Sequence, residues 1–230
     1  VSALAAWAAT WTATTDDGLR PVVLTFDDGY ADFATAALPR LAERGLASTL
    51  YLTTSALTGR GHGATGLPPA PMLAWDQLAD FEAAGVEIGA HSHVHVQLDT
   101  VRRRRAVAEI EQSRDLLADH LGHPIASFAY PYGYSSASTR AAVAGAGFTS
   151  ACGVRNAFSS LTDDRFTLAR LMVYRDTSSA AFATWLRGEG AAVATPGEAL
   201  AATAWRWMRR LYPGVIGLTG RLARQAHLPR

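Results

Sequence analysis

The chain has 230 residues and a mass of 24.4 kDa, enough for one large domain or two small ones. Hydrophobic residues make up 49% of it and charged residues 18%, which excludes a disordered chain, and no apolar run reaches the roughly 20 residues of a membrane span. The only cysteine is Cys152, so an internal disulfide bond is excluded.

The charge is distributed unevenly, although the formal net charge is only +1. All 21 basic residues are arginines, and residues 203–230 carry several of them without any acidic residue. This basic tail is typical of a solvated segment, but Trp205 and Trp207 beside the arginines also fit weak contact with a membrane surface or an anionic polymer. The arginines at 102–105 open a predicted helix and fit an exposed face, so no nucleic-acid partner is predicted.

Short apolar runs alternate with helical patterns from residue 22 to about residue 190. The predicted elements in chain order are strand 21–26, helix 31–44, strand 47–53, helix 75–84, strand 86–90, helix 100–121, strand 127–130, helix 135–145, strands 148–152 and 168–173, and helix 178–187. A segment rich in Gly and Pro, residues 59–71, is long enough to be a lid or a substrate loop. The alternation predicts a parallel sheet with crossover helices, either closed as a barrel or doubly wound.

The first candidate site follows the first predicted strand, in the segment Thr25-Phe26-Asp27-Asp28-Gly29. Adjacent carboxylates after a strand point in different directions, so one can bind a cation while the other moves a proton. Asp-Asp-Gly is also ordinary turn chemistry. The position at the carboxyl end of a strand favours function, because parallel α/β sheets assemble their sites there.

The second candidate site follows the third predicted strand and contains His91, His93 and His95. The four-residue spacing of His91 and His95 lets two imidazoles reach one metal ion, and His93 is left to point away or to orient the others. One carboxylate and two imidazoles leave room for water, which is the pattern of a catalytic zinc-type site. The residues alone therefore predict a metal-assisted hydrolase.

Three segments together resemble the polysaccharide deacetylases, the NodB-homology domain of the carbohydrate esterases. They are Thr-Phe-Asp-Asp-Gly at 25–29, His-Ser-x-x-His at 91–95, and Phe128 to Gly133 with its Pro-Tyr-Gly half. The third segment is similar to a branch of the family that reads Phe-Ala-Tyr-Pro. The resemblance covers about residues 20–190 and implies an α/β fold, a distorted (β/α) barrel with fewer than eight repeats, similar to a TIM barrel.

The resemblance also implies roles for individual residues. Asp27 matches the general base, and the metal ligands match Asp28, His91 and His95. The backbone N–H of Tyr132 matches an oxyanion donor, and Pro131 with Tyr132 would line the substrate cleft or merely shape a turn. The implied cofactor is one divalent metal ion, most often zinc, with cobalt or nickel suited to the same ligands.

The sequence departs from the family pattern at two positions. Many members carry an arginine two residues before Pro131, where it pairs with the base, but this chain has Ala129 there. Arg170, near the end of a later predicted strand, is a candidate to supply that cation, and an ordinary surface ion pair is the alternative. The usual late histidine that protonates the leaving amine is also missing, which leaves upstream sequence, His62 or water to supply the acid, or no acid at all.

The resulting expectation is a hydrolase that removes N-acetyl groups from amino sugars of a polysaccharide or glycoconjugate, with water activated at the metal by Asp27. The alternatives are a catalytically weakened carbohydrate-binding domain that keeps the metal, and a hydrolase of a non-sugar amide. The expected organisation is an N-terminal helical segment at 1–19, the deacetylase domain at 20–195 and a basic helical tail at 196–230. The chain begins at Val1 and shows no secretory-signal pattern before Thr25, so no compartment is predicted.

Overall fold

A computed structural model describes residues 21–58, 67–160, 163–194 and 200–211, with side chains of the last segment described from residue 204. The predicted segment 1–19, most of the glycine-rich part of loop 59–71, and the tail beyond Leu211 lie outside the described residues. So do His62 and His227. Among the described helices, none combines the length and the apolar character that crossing a membrane requires.

The centre of the fold is a five-stranded parallel sheet whose strands follow one another in chain order. The strands are β1 (Thr25–Phe26), β2 (Ser48–Leu52), β3 (Val86–Ala90), β4 (Ser127–Ala129) and β5 (Ser150–Cys152). Parallel neighbours require a crossover connection, and each connection here contains a helix. All five carboxyl ends therefore lie at one edge of the sheet.

The helices between Leu38 and Gly145 cover the outside of this sheet, and two more helices follow the last strand. They are α1 (Leu38–Ala42), α2 (Leu78–Ala83), α3 (Arg103–Leu121), α4 (Ala137–Gly145), α5 (Ser179–Leu186) and α6 (Leu200–Leu211). A π-helical turn, Phe33–Ala37, leads into α1, and 3-10 turns occupy Thr54–Ala56, Trp75–Gln77 and Pro131–Gly133. Apolar side chains from both layers form one large buried cluster between the helices and the outer face of the sheet.

The sheet curls until its two edges approach each other. Leu168 forms a parallel bridge to Cys152 on β5, at the edge far from β1. Two residues later, Arg170 Nη1 donates to Thr25 Oγ1 on β1 over 3.0 Å. A side chain can join the first and last strands only if the sheet closes on itself, so the distorted (β/α) barrel with fewer than eight repeats is confirmed and the doubly wound alternative is wrong.

The inner face of the barrel packs around one large aromatic ring, that of Tyr51, with Ala129, Cys152 and Leu168 against it. Tyr51 on β2 is fully buried and stands in register with Gly89 on β3. A Cβ atom at Gly89 would lie 2.5 Å from two carbon atoms of the Tyr51 ring. Gly89 is therefore needed so that the ring can occupy the barrel interior below the site.

The predicted strand at 168–173 is wrong beyond Leu168. The N–H of Ala169 donates to Ser159 Oγ over 2.8 Å, and the N–H of Met172 donates to Asn156 Oδ1 over 3.2 Å. Side chains thus take the backbone donors that a sixth strand would have offered to the sheet. The segment instead runs as a loop that carries Arg170 across the top of the barrel.

Helix α6 turns arginines of the basic tail towards the barrel. Arg206, Arg209 and Arg210 all donate hydrogen bonds to Asp99, a buried residue of the loop that follows β3. A wholly solvated tail is therefore wrong for this part of the chain. Trp207 and Leu211 are exposed on the opposite side of the helix, and membrane or polymer contact by the tail stays a prediction.

Candidate metal centre

Three loops at the carboxyl edge of the sheet bring the predicted site residues together. Asp27 and Asp28 follow β1, and His91 follows β3 with its N–H donating to Leu52 O over 2.9 Å. The third loop follows β4 and contains the Pro131–Gly133 turn. Since parallel strands end at the same edge, residues more than a hundred positions apart meet in one cleft.

Asp28 lies between the two predicted histidine ligands. Its Oδ1 atom is 3.3 Å from Nε2 of His91 and 3.3 Å from Nε2 of His95. One ligand atom from each of the three residues lies within 4.8 Å of the others. Both histidines are buried and Asp28 is about one-quarter exposed, at 24%, so the cluster is open to the cleft on the carboxylate side.

The protonation of His91 suits a metal ligand. Its Nδ1 lies 2.7 Å from the carbonyl oxygen of Ala129, and because a carbonyl oxygen can only accept, Nδ1 carries a proton. Nε2, which faces Asp28, then carries a proton only in the charged ring, and loss of that proton frees its lone pair for a metal ion. A ring nitrogen held by a backbone carbonyl is the usual support of a metal-binding histidine. Two imidazole nitrogens and one carboxylate therefore fit a divalent ion of the zinc type.

Asp27 points to a different partner. Its two carboxylate oxygens accept from Nη1 and Nη2 of Arg170, each over 2.7 Å. Arg170 is further fixed by donating from Nε to Gly153 O over 3.1 Å, and its guanidinium lies 5.6 Å from the centre of the Tyr51 ring. The cation that many family members carry at the position of Ala129 is thus supplied to Asp27 by the loop that follows Leu168, next to β5.

The two carboxylates are held ionised by different neighbours. Burial would raise the pKa of Asp27, but the charge and hydrogen bonds of Arg170 together with the charge of His91 outweigh burial, and the pKa lies below its usual value. Burial likewise acts against ionised Asp28, yet its hydrogen bonds with His91 and His95 hold its pKa well below the usual range. Burial lowers the pKa of His91, but the hydrogen bond to Asp28, the charges of Asp27 and Asp28 and the contact with Ala129 O together raise it above its usual value. The centre therefore carries a negative charge directed at the position of a cation.

The third loop places an aromatic ring against His95, one of the three candidate metal ligands. The ring of Tyr132 lies 4.6 Å from the ring of His95, centre to centre. The adjacent Gly133 has a φ of +75°, and a Cβ atom there would lie 2.5 Å from the backbone nitrogen of Val154. The Pro131–Gly133 turn therefore packs between the loop after β5 and the loop that carries His95. Pro131, its first residue, is buried.

Four of the residues in this cleft have a left-handed backbone without being glycine. The φ angles are 76° at Asp28, 64° at Ser92, 58° at His95 and 60° at Tyr132. Such conformations cost energy for residues with a Cβ atom and persist only where the surrounding contacts hold them. At His95 one such contact is local, since its N–H donates to Ser92 Oγ over 3.0 Å.

Several supporting groups were not found from the sequence. The Ala129 carbonyl that holds His91 is a backbone atom with no signal of its own. Glu109 on α3 accepts from the N–H of Val94 over 2.9 Å, and its place on the inward face of a helix could have marked it. His93 is not part of the cluster, because its Nδ1 bonds Thr54 Oγ1 over 2.9 Å.

Comparison with known proteins identifies the sequence family that matches this arrangement. The family model described as polysaccharide deacetylase matches residues 14–151, which is more than half of the chain. The Bacillus subtilis (strain 168) protein YxkH, which bears a provisional polysaccharide deacetylase name, is 22% identical over 165 residues. That match covers 72% of this chain but only 56% of YxkH, so the chain spans little more than half the length of this relative.

Solved structures share the fold. The deacetylase PplD of Streptococcus pyogenes, determined with acetate, aligns with a TM-score of 0.65 at 21% identity over 76% of this chain and 75% of that one. The de-N-acetylase of Aggregatibacter actinomycetemcomitans aligns with a TM-score of 0.66 at 20% identity, covering 79% of this chain and 80% of the other. At these identities the likeness establishes the barrel, and the chemistry depends on the residues described above.

Proposed function

The chain belongs to the polysaccharide deacetylase family, and from that premise we propose that it is a metal-dependent hydrolase of N-acetyl groups on the amino sugars of a polysaccharide or glycoconjugate. The observation that carries the proposal is the pair of adjacent carboxylates with separate partners. Asp28 faces His91 and His95, while Asp27 faces Arg170. A domain that only bound sugar would have no use for the second, ionised carboxylate.

Asp28, His91 and His95 would hold the metal ion, with zinc favoured and cobalt or nickel suited to the same donors. When bound, such an ion polarises the acetamide carbonyl and makes water more acidic. The chain supports this role by keeping Asp28 ionised and by fixing the His91 ring through the Ala129 carbonyl. Because His91 and His95 are buried, water can reach their ring nitrogens only from the cleft.

Asp27 would act as the general base. Its neighbour Asp28 is committed to the histidines, so Asp27 is the carboxylate that remains to accept a proton from the attacking water. Arg170 fixes the orientation of both Asp27 oxygens and keeps the group ionised. This arrangement supplies a base in the correct charge state at neutral pH.

The oxyanion that forms when water adds to the carbonyl needs a donor besides the metal. We assign this role to the backbone N–H of Tyr132, on the turn whose ring contacts His95. Pro131 and the Tyr132 side chain would form one wall of the substrate cleft. The left-handed backbone of Tyr132 orients the peptide groups of this turn differently from an ordinary helical turn.

The leaving amine must gain a proton as the carbon–nitrogen bond breaks. We assign delivery of that proton to Asp27, which would pass on the proton taken from the attacking water and return to its ionised state. His62, outside the described residues, is the alternative donor from this chain.

Acetate release tests this function directly. The purified chain is incubated with N-acetylated glycans, namely chitin oligomers, poly-N-acetylglucosamine and peptidoglycan fragments, with added zinc or with a chelator. Release that zinc supports and the chelator abolishes is the expected result. Asp27→Asn should abolish release while metal binding remains, whereas the matched variant Asp119→Asn, at an exposed position on α3, should retain activity.

The same experiment separates the alternatives. A carbohydrate-binding domain would bind these glycans without releasing acetate, and Asp27→Asn would leave its binding unchanged. A hydrolase of non-sugar amides would release acetate from small N-acetylated amines but from none of the glycans. Acetate release that resists the chelator would contradict the metal-dependent mechanism.

A further inference from the structure

Helix α6 forms a buried ion-pair cluster with the loop that follows the metal-binding histidines. Arg209 donates to both carboxylate oxygens of Asp99 over 3.0 and 2.6 Å, and the two side chains are only 1% and 2% exposed. Arg206 lies 3.3 Å from the same carboxylate, and Arg210 donates to the Asp99 backbone oxygen over 2.8 Å. A buried charge with so many donors fixes the position of its backbone closely.

This cluster acts on the segment that carries His95. Asp99 is four residues beyond His95, and Gln97, between them, accepts from Arg209 Nη1 over 2.8 Å. Arg209 thus binds two side chains of the segment that leaves the metal cluster. His95 itself has a left-handed backbone, a conformation that depends on outside contacts to persist.

Helix α6 also holds the opposite wall of the cleft. The Arg209 guanidinium lies 3.8 Å from the centre of the Tyr134 ring, and Trp205 Nε1 donates to the Tyr134 hydroxyl over 3.1 Å. Tyr134 is two residues beyond Tyr132, whose ring contacts His95. One arginine therefore joins the two loops that meet at the metal cluster.

We propose that Arg209 is a positioning residue for the metal centre, acting through Asp99 and Tyr134 on the loops of His95 and Tyr132. This inference rests on the proposed function and adds to it a part of the chain beyond residues 14–151, which the family model matches. The C-terminal helix is then part of the machinery of the site. Outer groups that orient a metal ligand typically change metal affinity about 10- to 100-fold.

The test compares Arg209→Met and Arg209→Lys with Arg175→Met, an exposed arginine outside the cluster. Affinity for Co²⁺ is measured by absorption and for Zn²⁺ by competition with a chromophoric chelator, on protein shown to be folded by circular dichroism. We expect Arg209→Met to weaken metal binding at least about 10-fold and Arg209→Lys to weaken it less, since lysine keeps the charge and loses the two-pronged contact. Arg175→Met should bind like the wild type.

A double variant, Asp99→Asn with Arg209→Met, separates positioning from stability. It removes the buried carboxylate that Arg209→Met leaves with only the 3.3 Å contact to Arg206, so its melting temperature should recover relative to Arg209→Met, while metal affinity should stay low. Metal affinity within twofold of the wild type in folded Arg209→Met, or full recovery of affinity in the double variant, would overturn the inference. A wild-type chain that binds neither metal would instead overturn the proposed function.

Discussion

Replacing Arg170 by methionine should impair both the stability of the barrel and its activity. The substitution removes two 2.7 Å bonds to Asp27 together with the contacts to Thr25 and Gly153. Arg170 is 12% and Asp27 26% exposed, so the carboxylate left behind is poorly solvated. Breaking a buried ion pair costs about 3–5 kcal/mol, and the partial exposure of Asp27 places the expected loss at about 3 kcal/mol.

A loss of this size is readily measured by thermal unfolding of the metal-free protein. For a chain of this length each kcal/mol lowers the melting temperature by about 2–4 °C, so Arg170→Met should melt roughly 6–12 °C below the wild type. Acetate release at saturating zinc should fall about 100-fold, the lower range for loss of a well-placed general base. Arg165→Met, an exposed arginine five residues earlier, is the matched control. A melting temperature within 2 °C of the wild type, or an unchanged rate, would refute the assigned pairing.

Two further predictions concern other parts of the fold. Gly89→Ala should lower the free energy of unfolding by about 3 kcal/mol, because the new methyl group would overlap the Tyr51 ring and lie 2.8 Å from Ser127 Oγ. Urea denaturation measures this loss. Equal stability of the variant and the wild type would contradict the packing described for the barrel interior. Hydrogen bonding to Glu82 raises the pKa of the exposed His123, so this pair stabilises the fold below the unfolded-state histidine pKa and stops doing so as pH rises through the raised value. Nuclear magnetic resonance titration of His123 should show that pKa fall in Glu82→Gln, and an unchanged titration curve would exclude the contact.

The grouping of Asp28, His91 and His95 could be predicted from the sequence because its information is local. Asp28 follows a strand, and His91 and His95 are four residues apart, so topology alone brings them together. The partner of Asp27 was harder to predict, because Arg170 is 143 residues away and the strand predicted to carry it does not form beyond Leu168. Arg170 could be named only because the motif lacks a cation at Ala129.

Other features had no sequence signal that could identify them. The strand predicted at 168–173 has the apolar pattern of a strand, but Asn156 and Ser159 take backbone donors from it, and such side-chain bonds cannot be read from periodicity. The packing of α6 against Asp99 could likewise not be predicted from the sequence. The tail showed an excess of arginine, but nothing in the sequence indicated that Asp99 is buried and faces them.

The left-handed residues of the cleft have a consequence for laboratory selection. Each such residue costs about 1–3 kcal/mol relative to a relaxed backbone, a cost that glycine largely avoids. A library screened for heat resistance alone should therefore accumulate glycine at Tyr132, and the gain in melting temperature would come with loss of the ring that lies against His95. Improving the durability of this protein without losing its chemistry requires that every round of screening also score turnover.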